Sequence, residues 1–160
     1  MSKLDPPHNI PKHWEWKRLD QVGAVYSGST PSTSDEHNFG GEVSWLTPAD
    51  LSNFEGKYVS GGERTLTKQG LDVCSAVLLP EGTVLFSSRA PIGYTAIARV
   101  PLATNQGFKN LVPGKEITSE YLYHYLKGSK GLAESYASGT TFSELSAKRF
   151  SRIPIPLPPL

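Results

Sequence analysis

Seven cations of this 160-residue chain stand in two stretches that hold no carboxylate. Between Gly82 and Lys115 the charged side chains are Arg89, Arg99, Lys109 and Lys115, and from Leu145 onward they are Lys148, Arg149 and Arg152. Such stretches suit a surface that meets a polyanion, because a neighbouring acid would cancel each phosphate contact. The net charge of +1 conceals this asymmetry: residues 1–56 carry four basic and eight acidic side chains, and residues 57–160 carry twelve and seven. The competing reading is ordinary solvated charge.

Other chemistry is not marked. Cys74 is the single cysteine and the four histidines are scattered, so neither an internal disulfide nor a metal cluster is legible, and Cys74 reads as a buried or half-buried thiol. There is no Gly-rich nucleotide fingerprint, no nucleophile elbow and no obvious pair of carboxylates. The residues therefore point to a non-catalytic binding module without a cofactor of its own. No apolar run approaches the roughly 18 residues that cross a bilayer. The opening MSKLDPPHNIPKHW sets prolines where a signal peptide needs an apolar helix, so no membrane association and a cytoplasmic location are expected.

The elements that position these cations are mostly strands. VGAVYSG, EVSWL, TVLFSSR, YTAIARV and FKNLVPG read as short strands, with Val43 and Trp45, and Val84 and Phe86, at alternate positions. Turn chemistry separates them at Pro48, Pro80 to Gly82, Pro101 and Pro113 to Gly114. Helices come late. TSEYLYHYLKG offers Thr118 or Ser119 as N-cap, Leu122, Tyr125 and Leu126 on one face and Gly128 as the stop, and SKGLAESYASG continues as a second helix. TFSELSAKRF opens with Thr141 three residues before Glu144, the spacing of a capping box. Strands first and helices last give an α+β class, a mainly β framework of short strands with a few C-terminal helices. Residues 1–13 read as an irregular lead-in and residues 14–160 as a single domain, whose start Trp14, Trp16 and Leu19 would pin into the core.

Six phrases then acquire a common meaning. VYSGSTPS, VSWLTPADL, GTVLFSSRAPIGYTAIA, LATNQGFKNLVP, EYLYHYL and SGTTFSELSAKRFSRIPIPLPPL follow one another in an order and spacing that resemble the target recognition domains of type I restriction-modification specificity subunits, the HsdS family. The resemblance runs from Trp14 to Leu160. It implies a domain that reads one half of a split sequence in double-stranded DNA, beside a second recognition domain. It also implies methyltransferase (modification) and restriction subunits as partners, with S-adenosylmethionine and ATP bound by those partners. In the family a spacer helix follows the segment that IPIPLPPL resembles, so an excised domain, a truncated gene product or a half-subunit is expected.

The candidate DNA contacts divide in two. Shared phrases suggest backbone anchors: Ser88 and Arg89 in SSRAPIGY, Lys109 in TNQGFKN, and Thr140 and Thr141 at a helix start with Lys148 and Arg149 beyond. For Arg89 the competing reading is an internal salt bridge. Asn105 and Gln106 either read adenine or shape a turn. Base readers are expected where the resemblance is weakest. Ser32, Thr33 and Asn38 lie in STSDEHNFGG, and Lys57, Arg64, Lys68 and Gln69 in SNFEGKYVSGGERTLTKQG; Arg64 and Lys68 suit guanine, Asn38 and Gln69 adenine. The alternative function is an adaptor fragment that binds a protein partner through exposed aromatics and its proline-rich C-terminus.

Overall fold

The computed structural model describes residues 6–139 and 143–160. The chain enters β1 (Glu15–Arg18), one helical turn α1 (Leu19–Val22) and β2 (Gly23–Ser27). A 3₁₀ turn at Glu36–Asn38 leads into β3 (Phe39–Leu46), and a second at Pro48–Leu51 follows. Next come β4 (Tyr58–Val59), β5 (Thr65–Leu66) and α2 (Lys68–Asp72). The middle of the chain holds β6 (Val84–Ser88), β7 (Ile92–Ala98), β8 (Ala103–Thr104) and β9 (Phe108–Pro113). It closes with α3 (Ser119–Lys127), α4 (Lys130–Tyr136), α5 (Ala147–Ser151) and β10 (Pro154–Leu157). This is the expected α+β class.

A five-stranded sheet in the order β2-β9-β6-β7-β4 organises the domain, antiparallel except where β4 runs parallel to β7. Both of its faces are covered, because the alternation along β6 sends apolar side chains each way. Val84 and Phe86 join Leu111 and Ile97 against Leu19, Leu122, Leu126, Phe150 and Ile155, and the Phe86 and Phe150 rings stack at 5.7 Å. Leu85 and Phe108 turn the other way, onto Leu46, Leu51, Leu79 and Leu102. A smaller sheet, β5-β3-β8, closes over Trp45, Leu66 and Ala103.

The late helices follow local signals with one exception. Thr118 caps α3 by accepting from the Tyr121 amide, and Gly128 ends it, as expected. The third helix begins later than its capping-box spacing suggests. Glu144 is not in its first turn but in a two-way backbone bridge with Ser138, and Ser146 caps α5 by accepting from the Arg149 amide. The bridge uses the amide and carbonyl of Glu144 before a helix can.

The middle of IPIPLPPL, Pro154–Leu157, is a strand. β10 pairs antiparallel with β1, Lys17 opposite Ile155 and Arg18 opposite Pro154. Leu19 N–H donates to the Ile153 carbonyl at 3.0 Å, which sets the phase: odd-numbered residues of β10 face β1, and Pro154 and Pro156 point their backbone away from it. On that far edge stand two tyrosine hydroxyls of α3, Tyr121 donating to the Pro156 carbonyl and Tyr125 to the Pro154 carbonyl. An N–H there would meet donors, and proline supplies none. The pairing also corrects the expected core role of two tryptophans. Trp14 and Trp16 are half-buried along the ribbon, and only Leu19 is enclosed.

Candidate nucleic-acid interface

Antiparallel register brings the loops together. Lys109 of β9 stands opposite Ser27 of β2 and Phe86 of β6, while Ser88 pairs with Ile92. The end of β2, the end of β6 and the start of β9 therefore emerge at one end of the sheet. There Ser29 N–H donates to the Thr104 carbonyl (2.9 Å), Thr30 Oγ1 to Gln106 Oε1 (2.6 Å) and Ser88 N–H to the Gly107 carbonyl (2.8 Å). Gly28 permits the approach, since a Cβ on it would lie 2.0 Å from the Asn105 carbonyl oxygen. Asn105 takes the turn-forming role, its Oδ1 accepting from Gly107 N–H at 2.8 Å, while Gln106 is exposed at the tip.

Three charges meet at this end. The Arg89 guanidinium lies 3.5 Å from Glu144 Oε1, with both side chains partly exposed, so the internal salt bridge weighed for Arg89 exists. Leu145 N–H donates to the Ser88 carbonyl and so sets the two residues side by side. Lys109 departs from expectation. It is 6% exposed, and its Nζ donates to the carbonyls of Gln106 (3.1 Å) and Phe108 (3.5 Å). Burial pushes this ammonium below the ordinary lysine range, Glu144 draws it back up and Arg89 pushes it down again. Lys109 and Glu144 line a cleft of about 420 Å³ with Ser27, Ser138, Ser146 and Ala147, and Arg89 lines the neighbouring pocket that Glu144 also borders. Ser88 is not on the surface: its hydroxyl is buried and makes no hydrogen bond among the described residues, so a direct DNA contact through it is corrected.

The two polar loops of weakest resemblance are one structure. The Thr67 hydroxyl donates to the His37 carbonyl (2.6 Å), Thr67 N–H to the Asn38 carbonyl (3.0 Å) and Gln69 Nε2 to Asn38 Oδ1 (3.1 Å). Gly70 fits only as glycine, since a Cβ would meet the Asn38 carbonyl oxygen at 2.1 Å. Asn38 is 2% exposed and its amide also donates to the Ser32 carbonyl, so it belongs to the scaffold of this unit and not to a reading surface. The His37 backbone amide holds the Asp35 carboxyl below its ordinary value. Ser32, Thr33, Arg64, Lys68 and Gln69 remain exposed around it. Arg64 lies over the Phe39 ring at 3.7 Å, and Lys68 pairs with Asp72 at 3.0 Å.

Other candidates fall elsewhere. Lys57 is at the opposite end of the sheet, where β4 meets the end of β7, and its Nζ lies 2.6 Å from Glu120 of α3, which raises the lysine and lowers the acid. That pairing takes Lys57 out of the loop cluster. Lys148 and Arg149 are exposed on α5, beside the cleft, and Arg149 Nη1 donates to the Tyr136 carbonyl at 3.2 Å. Thr140 and Thr141 lie outside the described residues. Cys74 is half-buried, its thiol directed to the Gly70 carbonyl at 3.3 Å. Sequence reasoning missed Glu144 as a partner of Arg89; the available signal was its position as the last acid before the C-terminal basic stretch. No helix among the described residues is long and apolar enough to cross a membrane.

Comparison with known proteins gives this geometry its context. The chain is 45% identical over 152 residues to the type I restriction enzyme MjaIX specificity subunit of Methanocaldococcus jannaschii, covering 93% of this chain and 35% of that protein. It is 28% identical over 152 residues to the HindI specificity subunit of Haemophilus influenzae, covering 93% and 33%. A chain from a structural study of complex assembly and conformational transition in the type I R-M system matches with a TM-score of 0.75 at 25% identity, covering 97% of this chain and 36% of that one. The chain thus spans about a third of the length of these relatives. A family model for the type I restriction modification DNA specificity domain matches residues 11–160, nearly all of the sequence, and the chain belongs to that family.

Proposed function

We propose that this chain is a target recognition domain that binds double-stranded DNA and reads one half of a bipartite site for a type I restriction-modification complex. The observation that carries this reading is the gathering of polar loops and cations at one end of the central sheet in a member of this family. Exposed Lys148 and Arg149 serve as backbone anchors, and the paired loops around Ser32, Thr33, Arg64, Lys68 and Gln69 address base edges. The chain supplies the address and no chemistry. Methyl transfer and cleavage belong to modification and restriction subunits, which bring S-adenosylmethionine and ATP, and a second recognition domain reads the other half-site. The adaptor alternative finds no support in the family comparison, and two of its prolines, Pro154 and Pro156, are buried within β10, while Pro158 and Pro159 are exposed.

The test is a salt titration of binding to duplex DNA. Affinity falls linearly with log salt, and Lys148→Ala or Arg149→Ala each makes the slope shallower by about 0.9 on any sequence. Affinity that ignores salt, or methyl incorporation into DNA by the purified chain with S-adenosylmethionine, contradicts the proposal.

A further inference from the structure

The cleft at the sheet end and the arginine beside it carry a mismatch of charge. Arg89 and Lys109 are two cations, and the described carboxylate that acts on both is Glu144. An ammonium has three donors, and Lys109 directs two contacts to the Gln106 and Phe108 carbonyls, which leaves a third N–H for the cleft. Three serines, Ser27, Ser138 and Ser146, line the same space. A buried cation needs a counter-charge in the free protein. Glu144 acts on buried Lys109 across the cleft, and its own contact with the partly exposed Arg89 is loose, long at 3.5 Å with half the Glu144 side chain exposed.

We propose that Glu144 occupies the seat of one DNA backbone phosphodiester, and that binding exchanges this carboxylate for a phosphate between Arg89 and Lys109. This rests on the DNA-binding reading above and adds to it a defined phosphate seat with a carboxylate that must leave. The exchange needs little motion. Ser138 and Glu144 are locked by reciprocal backbone hydrogen bonds of 3.1 and 3.0 Å, and Leu145 is tied to Ser88 at 2.9 Å, so only the Glu144 side chain has to swing. A half-exposed ion pair is a weak bond, and a phosphate that contacts both cations outcompetes it. The carboxylate offsets one of the two positive charges until a phosphate arrives, and it discourages weaker anions.

The experiment is a double-mutant cycle on the full chain. Wild type, Glu144→Gln, Arg89→Met and the double variant are titrated with one 20-base-pair duplex at several salt concentrations, with circular dichroism confirming the fold. Removing the competing carboxylate tightens binding by about threefold, the scale of a partly exposed pair. The loss caused by Arg89→Met is then larger in the Glu144→Gln background than in wild type, because only there is Arg89 free before DNA arrives. A charge that merely repels DNA from a distance gives independent effects. Effects that multiply without coupling, or a Glu144→Gln variant that binds more weakly, overturn the seat while leaving DNA binding itself intact. Absence of duplex binding by every variant overturns both readings. Glu144→Ala in the same cycle gives the same coupling and serves where the amide variant fails to fold.

Discussion

Lys109 sits 6% exposed between two backbone carbonyls, and burial holds its ammonium below the ordinary lysine range. The sign of the consequence follows from linkage. In the window between the lowered folded value and the unfolded value of about 10.4, the unfolded chain binds more protons, so this group's contribution to stability rises with pH. Wild type therefore gains stability relative to Lys109→Met as pH climbs toward that upper limit, measured by urea unfolding from pH 7 to 10.5. A difference that stays flat or shrinks refutes the assignment. Lys109→Met also weakens DNA binding, since it removes one side of the phosphate seat.

At the scale of elements, the β1–β10 ribbon is the part whose chemistry is most restrictive. Its outer edge presents proline carbonyls to tyrosine hydroxyls of α3, so the strand depends on that helix. Tyr125→Phe leaves the Pro154 carbonyl without its donor and lowers stability at neutral pH by about 1–3 kcal/mol. Burial pushes the Tyr125 phenol up to about 12. Above the ordinary tyrosine value of about 10 the unfolded chain ionises first, so the advantage of wild type over Tyr125→Phe falls as pH rises toward that folded value. Denaturant midpoints of the two proteins at pH 7, 10 and 11.5 measure both effects.

For the whole molecule, the two polar loops answer to each other. Thr67 and Gln69 bond to the His37 and Asn38 region, and Gly70 packs on the Asn38 carbonyl. Exchanging residues 32–41 alone for those of a relative breaks this seam and lowers the melting temperature, by about 2–4 °C for each kcal/mol lost. Exchanging 32–41 and 52–70 together restores the melting temperature and changes which duplex sequence is preferred. Thermal melts with competition binding on a duplex library check the pair of outcomes. A double exchange that keeps the original preference removes these loops from base reading.

The sequence by itself determined the α+β class, the strands around Val25, Trp45, Phe86, Ile97 and Leu111, and α3 from its threonine cap to its terminal glycine. These rest on local physics: alternation of apolar side chains, turn residues and caps act over a few residues and are written in the order of the chain. The two-residue strands and the β1–β10 ribbon were not legible, because a strand that short is defined by its neighbour and carries no period of its own. The stretches free of acids marked a basic region, but only the tertiary structure brought Glu144 onto Arg89, buried Lys109 and drew the Asn38 amide inside. Each of these depends on strand register and on contacts between residues far apart in the chain. Charge in sequence names the ions, and the fold decides which of them face water and which face each other.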